Sequence, residues 1–146
     1  MEYLRMNDRH IEAIAELERL CFRDPWSINS ILSELNNPLS TWIVAVNNGV
    51  LCGYVGSQSV LDGADMMNIA VHPDYRNQGI GTALVEKLII ALREQKVLSL
   101  CLEVRVSNEN AIRLYKKLDF QIIGKRPGYY RNPREDAYIM RKEFAK

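Results

Sequence analysis

The 146-residue sequence has little cysteine, no long apolar run and no excess of charge of one sign. Its three cysteines, Cys21, Cys52 and Cys101, show no Cys-x-x-Cys spacing, and an odd number argues against a disulfide framework. No apolar run approaches the roughly 20 residues that a membrane-spanning helix needs. Because 19 basic residues balance 18 acidic ones, we expect neither a nucleic acid nor a membrane surface as a partner.

Signals of export and of metal binding are also missing. The first residues show no basic segment followed by an apolar stretch, so we expect no secretion signal and a cytoplasmic protein. No His, Cys and Asp residues cluster at metal-ligand spacing, so we expect no metal. A length of 146 residues with 47% hydrophobic composition fits one soluble domain over residues 1–146.

Hydrophobic periodicity divides the chain into ten predicted elements. Helical spacing predicts helices from Asn7 or Asp8 to Cys21 and over residues 27–35, 79–95 and 108–118. Apolar or β-branched runs predict strands over residues 42–46, 50–56, 66–71, 98–106, 120–125 and 137–142. The order α-α-β-β-β-α-β-α-β-β contains a β-α-β step, which requires a parallel strand pair. We therefore predict an α/β fold, in which a mixed sheet carries helices on its faces.

The loop between the third strand and the third helix carries the most informative pattern. Two glycines, Gly79 and Gly81, stand where the helix begins, in the segment Val71-His72-Pro73-Asp74-Tyr75-Arg76-Asn77-Gln78-Gly79-Ile80-Gly81-Thr82. First-turn N–H groups attract anions, glycine lets an anion approach the backbone, and Arg76 adds a full positive charge. The pattern predicts a pyrophosphate-binding turn, and the alternative is a tightly packed β-to-α turn. The spacing matches neither the dinucleotide fingerprint nor the Walker loop.

These residues resemble a known family. The run Arg76-x-x-Gly79-x-Gly81 after a strand resembles the acyl-coenzyme A signature of the GNAT N-acetyltransferases. Residues 102–120 resemble that family's last conserved block, with Asp119 where the family has Gly. Residues 22–27, 68–71, 102–105, 129–130 and 135–137 resemble the bacterial branch that acetylates the N-terminal alanine of a ribosomal protein. The resemblance covers nearly the whole chain and implies the acyl-CoA N-acyltransferase fold, with a splayed parallel strand pair.

The resemblance also implies where acetyl-CoA, the co-substrate, would bind. Its pyrophosphate is expected at the glycine turn, on Arg76, Asn77, Gln78, Gly79, Ile80, Gly81 and Thr82. Its pantetheine arm is expected along Ile69, Ala70 and Val71, where the Val71 N–H would stabilise the developing oxyanion. Asn108 is the remaining cofactor contact that we expect.

Two residues are candidates for proton transfer. Strand alternation places Glu103 on the face opposite Leu102 and Val104, where it could act as a base, form an ion pair with Arg105 or lie at a solvated strand end. Tyr115 lies almost two helical turns after Asn108, and its phenol could donate a proton or pack in the core. The resemblance implies that Glu103 is the general base and Tyr115 the general acid.

Three aromatic residues are candidate contacts for the acceptor. Tyr129 and Tyr130 follow Pro127-Gly128 in an expected loop, where they could line a pocket or simply be exposed. Trp26 could form the opposite wall or anchor the next helix. The resemblance implies transfer from acetyl-CoA to a protein N-terminus, most specifically the N-terminal alanine of a small-subunit ribosomal protein.

Two other functions remain open at this point. The same donor site could serve a lysine side chain or a small amine. A non-catalytic acyl-CoA sensor is the alternative from another class, although such a protein needs neither Glu103 nor Tyr115.

Overall fold

The computed structural model describes residues 1–144, and the expected domain end at residue 146 lies outside them. These residues form a seven-stranded mixed sheet and four α-helices, which confirms the predicted α/β class. The strands are β1 (Glu2–Arg5), β2 (Ser40–Asn47), β3 (Val50–Val60), β4 (Gly63–Val71), β5 (Ser99–Arg105), β6 (Gln121–Tyr130) and β7 (Glu135–Glu143). The helices are α1 (Ile11–Cys21), α2 (Ile28–Leu35), α3 (Ile80–Glu94) and α4 (Glu109–Lys117).

Two strands differ from the expectation. The predicted order lacked β1, whose four residues pair with β2 but stay largely exposed, so they leave no apolar period in the sequence. The prediction that Tyr129 and Tyr130 lie in a loop is wrong, because β6 continues to Tyr130. Pro127-Gly128 shifts the register of β6 against β7 instead of ending the strand. An edge strand tolerates such an irregularity because one side of its backbone need not pair.

The strand order is β1-β2-β3-β4-β5-β7-β6, and β4–β5 is the parallel pair. These two strands pair at three positions, Gly63–Asp65 with Ser99–Cys101. Beyond Asp65 and Cys101 they diverge toward their carboxyl ends. The predicted splay within the sheet is therefore confirmed, and it opens a gap in the middle of the fold.

Each face of the sheet has its own hydrophobic core. On one face, Leu84 and Leu88 of α3 pack with Tyr115 of α4 and with Leu100 and Leu102 of β5. On the other face, α1 and α2 pack on β2, β3 and β4 around the side chains of Ile14, Ile31, Trp42 and Tyr54. On this second face Cys101, Glu103 and Arg105 of β5 are only half-buried, so a charged residue can lie in the middle of β5.

Candidate active site

The divergence of β4 and β5 creates a cavity of about 410 Å³, here called the gap cavity. Its walls are Asp65, Met66, Met67, Asn68, Ile69, Leu102, Glu103, Tyr115, Arg126, Tyr129 and Tyr130. The two predicted proton-transfer residues, Glu103 and Tyr115, thus line one cavity. They reach it from different sides, because Tyr115 lies in the core beneath α3 and α4 whereas Glu103 points to the opposite face of the sheet.

Glu103 lies in the middle of β5, between the buried residues Leu102 and Val104, as the alternation predicted. Its carboxylate is 3.6 Å from Arg126 Nε. The alternative of an ion pair with Arg105 is wrong, because Arg105 instead pairs with Glu135 at 3.3 Å. Burial raises the pKa of Glu103 above its usual value, and the positive charge of Arg126 partly offsets that rise.

Tyr115 is buried on α4, and its hydroxyl is 3.8 Å from the Met66 sulfur on β4. Its ring makes an edge contact with Phe120, with 5.7 Å between the centroids. Burial raises the pKa of Tyr115 above the usual value for a phenol. The phenol is therefore protonated at neutral pH and can donate its proton to an anion in the gap cavity.

The pairing of β3 with β4 determines which backbone groups face the gap. The His72 N–H donates to the Cys52 carbonyl at 2.8 Å, and Tyr54 lies opposite Ala70. Because alternate residues of an antiparallel ladder exchange hydrogen bonds, the Ile69 and Val71 N–H groups point away from β3, toward the gap. Ala70 directs its own N–H to β3, so its backbone N–H cannot serve a ligand in the gap.

The glycine turn lies at the start of α3, as predicted. One of its glycines is required by the backbone conformation and the other by the packing of two helices. Gly79 is the N-cap with a left-handed φ of 78°, and it provides no capping side chain. A methyl group added at Gly81 would lie 3.3 Å from the Leu114 side chain of α4. Gly79 thus meets a backbone requirement, and Gly81 allows α3 and α4 to approach closely. The first-turn N–H groups follow at Ile80, Gly81 and Thr82.

Two predicted cofactor contacts have structural partners of their own. The Arg76 side chain donates from Nε to the Val71 carbonyl at 3.0 Å and lies 3.5 Å from the Cys21 sulfur. It therefore links the glycine loop to the end of β4. Asn108 is the N-cap of α4, and its side-chain oxygen accepts from the Ala111 N–H at 3.2 Å.

A second cavity of about 630 Å³, here called the loop cavity, lies between the α1–α2 loop and the β6–β7 loop. Its walls are Cys21, Phe22, Arg23, Asp24, Trp26, Met67, Asn68, Arg105, Tyr129, Tyr130, Arg131, Asn132 and Pro133. Asn132 Nδ2 lies 3.4 Å from Asp24 Oδ2 and links the two loops. The predicted acceptor contacts Trp26, Tyr129 and Tyr130 thus meet in one cavity.

The tyrosine pair joins the two cavities, because both residues line each of them. The two rings meet edge to face with 5.0 Å between their centroids. The Arg105 guanidinium stacks 4.4 Å above the Tyr130 ring, which fixes that ring in place. Burial, with smaller effects from Tyr129 and Glu103, raises the pKa of Tyr130 to about 12. The Tyr130 hydroxyl is therefore a neutral hydrogen-bond donor.

Sequence reasoning missed Glu18, a carboxylate that is only 1% exposed on α1. Its Oε1 accepts from the Trp26 N–H at 2.8 Å, and its Oε2 accepts from Asn68 Nδ2 at 2.6 Å. The signal was present in the sequence, because Glu18 stands four residues after Ile14 on the apolar stripe of the helix. A charged residue on such a stripe indicates a buried polar contact.

Two general features complete the description of residues 1–144. Within this range, no helix is both long enough and apolar enough to cross a membrane. The same residues contain no group of three or more His, Cys, Asp or Glu side chains arranged to hold a metal ion.

Comparison with known proteins places the chain in a family. The sequence pattern of the acetyltransferase (GNAT) family matches residues 11–120. The ribosomal protein bS18-alanine N-acetyltransferase of Escherichia coli is 39% identical over 132 residues, which cover 89% of this chain and 88% of the relative. The N-alpha-acetyltransferase RimI of Mycobacterium tuberculosis is 36% identical over 135 residues, which cover 88% of this chain and 84% of the relative.

Comparison of the fold with solved structures leads to the same family. The crystal structure of the ribosomal-protein-S18-alanine N-acetyltransferase from Escherichia coli superposes with a TM-score of 0.91 at 35% identity. The superposition covers 99% of this chain and 94% of that structure. The chain therefore belongs to the acetyltransferase (GNAT) family and is an acetyl-CoA-dependent N-acetyltransferase.

Proposed function

We propose that this enzyme transfers the acetyl group of acetyl-CoA to the N-terminal alanine of ribosomal protein bS18. The observation that carries the proposal is the gap cavity, which joins the loop cavity through Tyr129 and Tyr130 and has Glu103 and Tyr115 on its walls. One cavity can hold the thioester, and the other can admit a peptide. The relative from Escherichia coli, which is named for this reaction, supports the choice of acceptor.

In the proposed arrangement, acetyl-CoA lies across the gap with its pyrophosphate at the start of α3. The N–H groups of Ile80, Gly81 and Thr82 would bind the diphosphate, because the first turn of a helix leaves them without helical partners. The Ile69 N–H donates to the Asn68 side-chain oxygen at 3.1 Å and would exchange that contact for one with the pantetheine arm. The Val71 N–H would donate to the thioester oxygen as negative charge develops on it.

The chemistry is a direct attack of the amine on the thioester carbon. The new C–N bond forms as the C–S bond breaks, Glu103 accepts a proton from the amine, and Tyr115 gives one to the departing thiolate. An α-amino group has a pKa of about 7.7–8.0, so deprotonating it at pH 7 costs only about 1 kcal/mol. A lysine side chain, with a pKa of about 10.4, would cost about 4.6 kcal/mol. A carboxylate with a raised pKa is therefore better matched to an N-terminus than to lysine.

Competition between acceptors tests this proposal. The enzyme is incubated with labelled acetyl-CoA and equal amounts of three acceptors: a peptide with the bS18 N-terminus, the same peptide with a blocked N-terminus and one added lysine, and a small polyamine. Mass spectrometry locates the label. We expect it on the α-amine of alanine, with a kcat/KM at least tenfold above that of the other acceptors.

Other outcomes would contradict the proposal in distinct ways. Label on the lysine or on the polyamine would identify a different acceptor for the same chemistry. Tight binding of acetyl-CoA without transfer to any acceptor would favour the sensor function. The Glu103→Gln variant serves as the matched control, because it retains the shape of the cavity but lacks the base.

A further inference from the structure

We propose that the buried carboxylate of Glu18 is a positioning residue for the acceptor, because it holds the α1–α2 loop against β4. This inference rests on the proposed function, since it concerns how the peptide is received. Glu18 does not line either cavity, but both of its hydrogen-bond partners, Trp26 and Asn68, line the loop cavity.

The two oxygens of Glu18 bind different parts of the fold. Oε1 accepts from the backbone N–H of Trp26 in the α1–α2 loop at 2.8 Å, and Oε2 accepts from the Asn68 amide on β4 at 2.6 Å. One side chain thus sets the distance between a loop wall and a strand wall of the loop cavity.

An aromatic stack joins the same two walls by a second route. The Asn68 amide also donates to the Tyr54 hydroxyl at 3.2 Å. Tyr54 stacks on Trp42 with 5.5 Å between the centroids, and Trp42 makes an edge contact with Trp26 at 5.6 Å. Trp26, Trp42, Tyr54, Asn68 and Glu18 therefore form a closed ring of contacts.

The position of Asn68 on β4 connects this ring of contacts to the walls of both cavities. Gly56 pairs with Asn68 while Ser57 pairs with Met66, so Met67 is an extra residue that forms a bulge in β4. Bulges redirect the side chains that flank them. Asn68 follows this bulge where β4 has diverged from β5, and it lines both cavities. A shift of Asn68 would therefore change both of them.

Burying this carboxylate is unfavourable for stability, which argues for a specific role. Glu18 is 1% exposed, and among residues 1–144 no Lys, Arg or His lies within ion-pair distance of it. Burial raises its pKa, and the Trp26 N–H partly counters the rise. An apolar residue would pack at the same place, but it would remove the acceptor of the Trp26 N–H and one of the two acceptors of the Asn68 amide.

The test is the Glu18→Gln variant, assayed with an alanine-initiated peptide and acetyl-CoA. Glutamine keeps the size of the side chain but sets an NH₂ group against one of the two donors. We expect the KM for the peptide to rise about tenfold, while kcat and the KM for acetyl-CoA stay within twofold of wild type. A purely structural role would lower the melting temperature without changing the peptide KM selectively.

Glu34→Gln is the matched control. Glu34 is also a buried helical carboxylate, and it accepts from Gln58 at 2.7 Å and from the Trp42 indole at 3.3 Å, but it lines neither cavity. We expect it to lose stability while its peptide KM stays unchanged. An equal rise in peptide KM for both variants would overturn the proposal.

A second variant keeps the test decisive if Glu18→Gln folds poorly. Asn68→Ala removes the other end of the contact and should by itself raise the peptide KM; an unchanged peptide KM in this variant would overturn the inference. Where Glu18→Gln does fold, combining the two changes should add little to the peptide KM, because both break the same link. Fully multiplicative effects would overturn the inference. A wild-type enzyme that acetylates no N-terminal peptide would instead refute the proposed function, whereas an active wild type with an unchanged Glu18→Gln KM refutes the inference alone.

Discussion

At the scale of single residues, burial acts in complementary ways on Glu103 and Tyr115, the two groups proposed to transfer protons. It raises the pKa of the Glu103 carboxyl, which makes that group a stronger base once it is ionised. It also raises the pKa of the Tyr115 phenol, which keeps that group protonated. Arg126, 3.6 Å away, favours the ionised form of the Glu103 carboxyl and so opposes the effect of burial on its pKa. In the proposed mechanism, the ionised carboxyl would act as the base and the protonated phenol as the acid.

The phenol can be tested by Tyr115→Phe, which keeps the ring and its contact with Phe120. We expect kcat to fall about 10²-fold, in the range for loss of a general acid, while acetyl-CoA affinity measured by calorimetry stays near wild type. The control is Tyr138→Phe, which removes a hydroxyl outside both cavities. A Tyr115→Phe enzyme that turns over at full speed would exclude Tyr115 from the mechanism.

The carboxylate can be tested through its neighbour with Arg126→Gln. Arg126 lowers the pKa of Glu103, so its removal should raise that pKa. Because Glu103 must be ionised to accept a proton, the acid limb of the kcat profile should move to higher pH. The profile is measured between about pH 5 and pH 9 at saturating peptide.

Lys125→Gln is the control for this shift, because Lys125 is adjacent in sequence but pairs with Asp136 at 3.6 Å. Its acid limb should match that of wild type. A limb that stays in place in Arg126→Gln, or that moves to lower pH, would point to a base other than Glu103.

At the scale of elements, the start of α3 combines a conformational and a packing requirement. Gly79 has a φ of 78°, which other residues adopt only at some cost. Gly81 lies against Leu114, so that α4 supports the turn from the side. The two helices and the glycine turn thus form one packed unit. The binding of a ligand at the turn would therefore depend on how α3 packs on α4.

Gly79→Ala tests whether this turn binds the diphosphate. An alanine in the left-handed region is strained by about 1–2 kcal/mol. Because the turn would move to relieve this strain, acetyl-CoA binding measured by calorimetry should weaken at least tenfold. Gly49→Ala is a close control, because Gly49 has a φ of 81° and, like Gly79, no described heavy atom within 4 Å of an added methyl group. It lies in the β2–β3 turn and should lose stability without losing affinity. Normal affinity in Gly79→Ala would contradict the assignment of the turn.

The elements also show what the sequence could and could not predict. The apolar periods of α1 to α4 and of β2 to β5 predicted these elements, because each buries a continuous stripe or face. The four residues of β1 bury no face and gave no signal. The Pro-Gly pair suggested a loop at Tyr129, but β6 absorbs it as a register shift. The partner of Glu103 could not be read from the sequence, because Arg126 comes from another strand.

At the scale of the whole molecule, the sheet separates the elements proposed to bind acetyl-CoA from those proposed to bind the acceptor. One face carries α3, α4 and the glycine turn, and the other carries α1, α2 and the loop that contains Trp26. Glu103 and Tyr115 reach the gap from these opposite sides. In the proposed reaction, donor and acceptor can therefore approach from different directions and meet within the sheet.

The three-residue pairing of β4 with β5 has a further consequence for how the molecule behaves among other proteins. A strand that leaves backbone groups open usually invites another chain to add to it, as happens at exposed sheet borders. Here the open stretch lies between two strands of one sheet and is not an outer edge of that sheet. The backbone N–H and C=O groups of β4 and β5 in the gap can thus remain available for hydrogen bonds without providing an edge on which a second copy of the chain could add a strand.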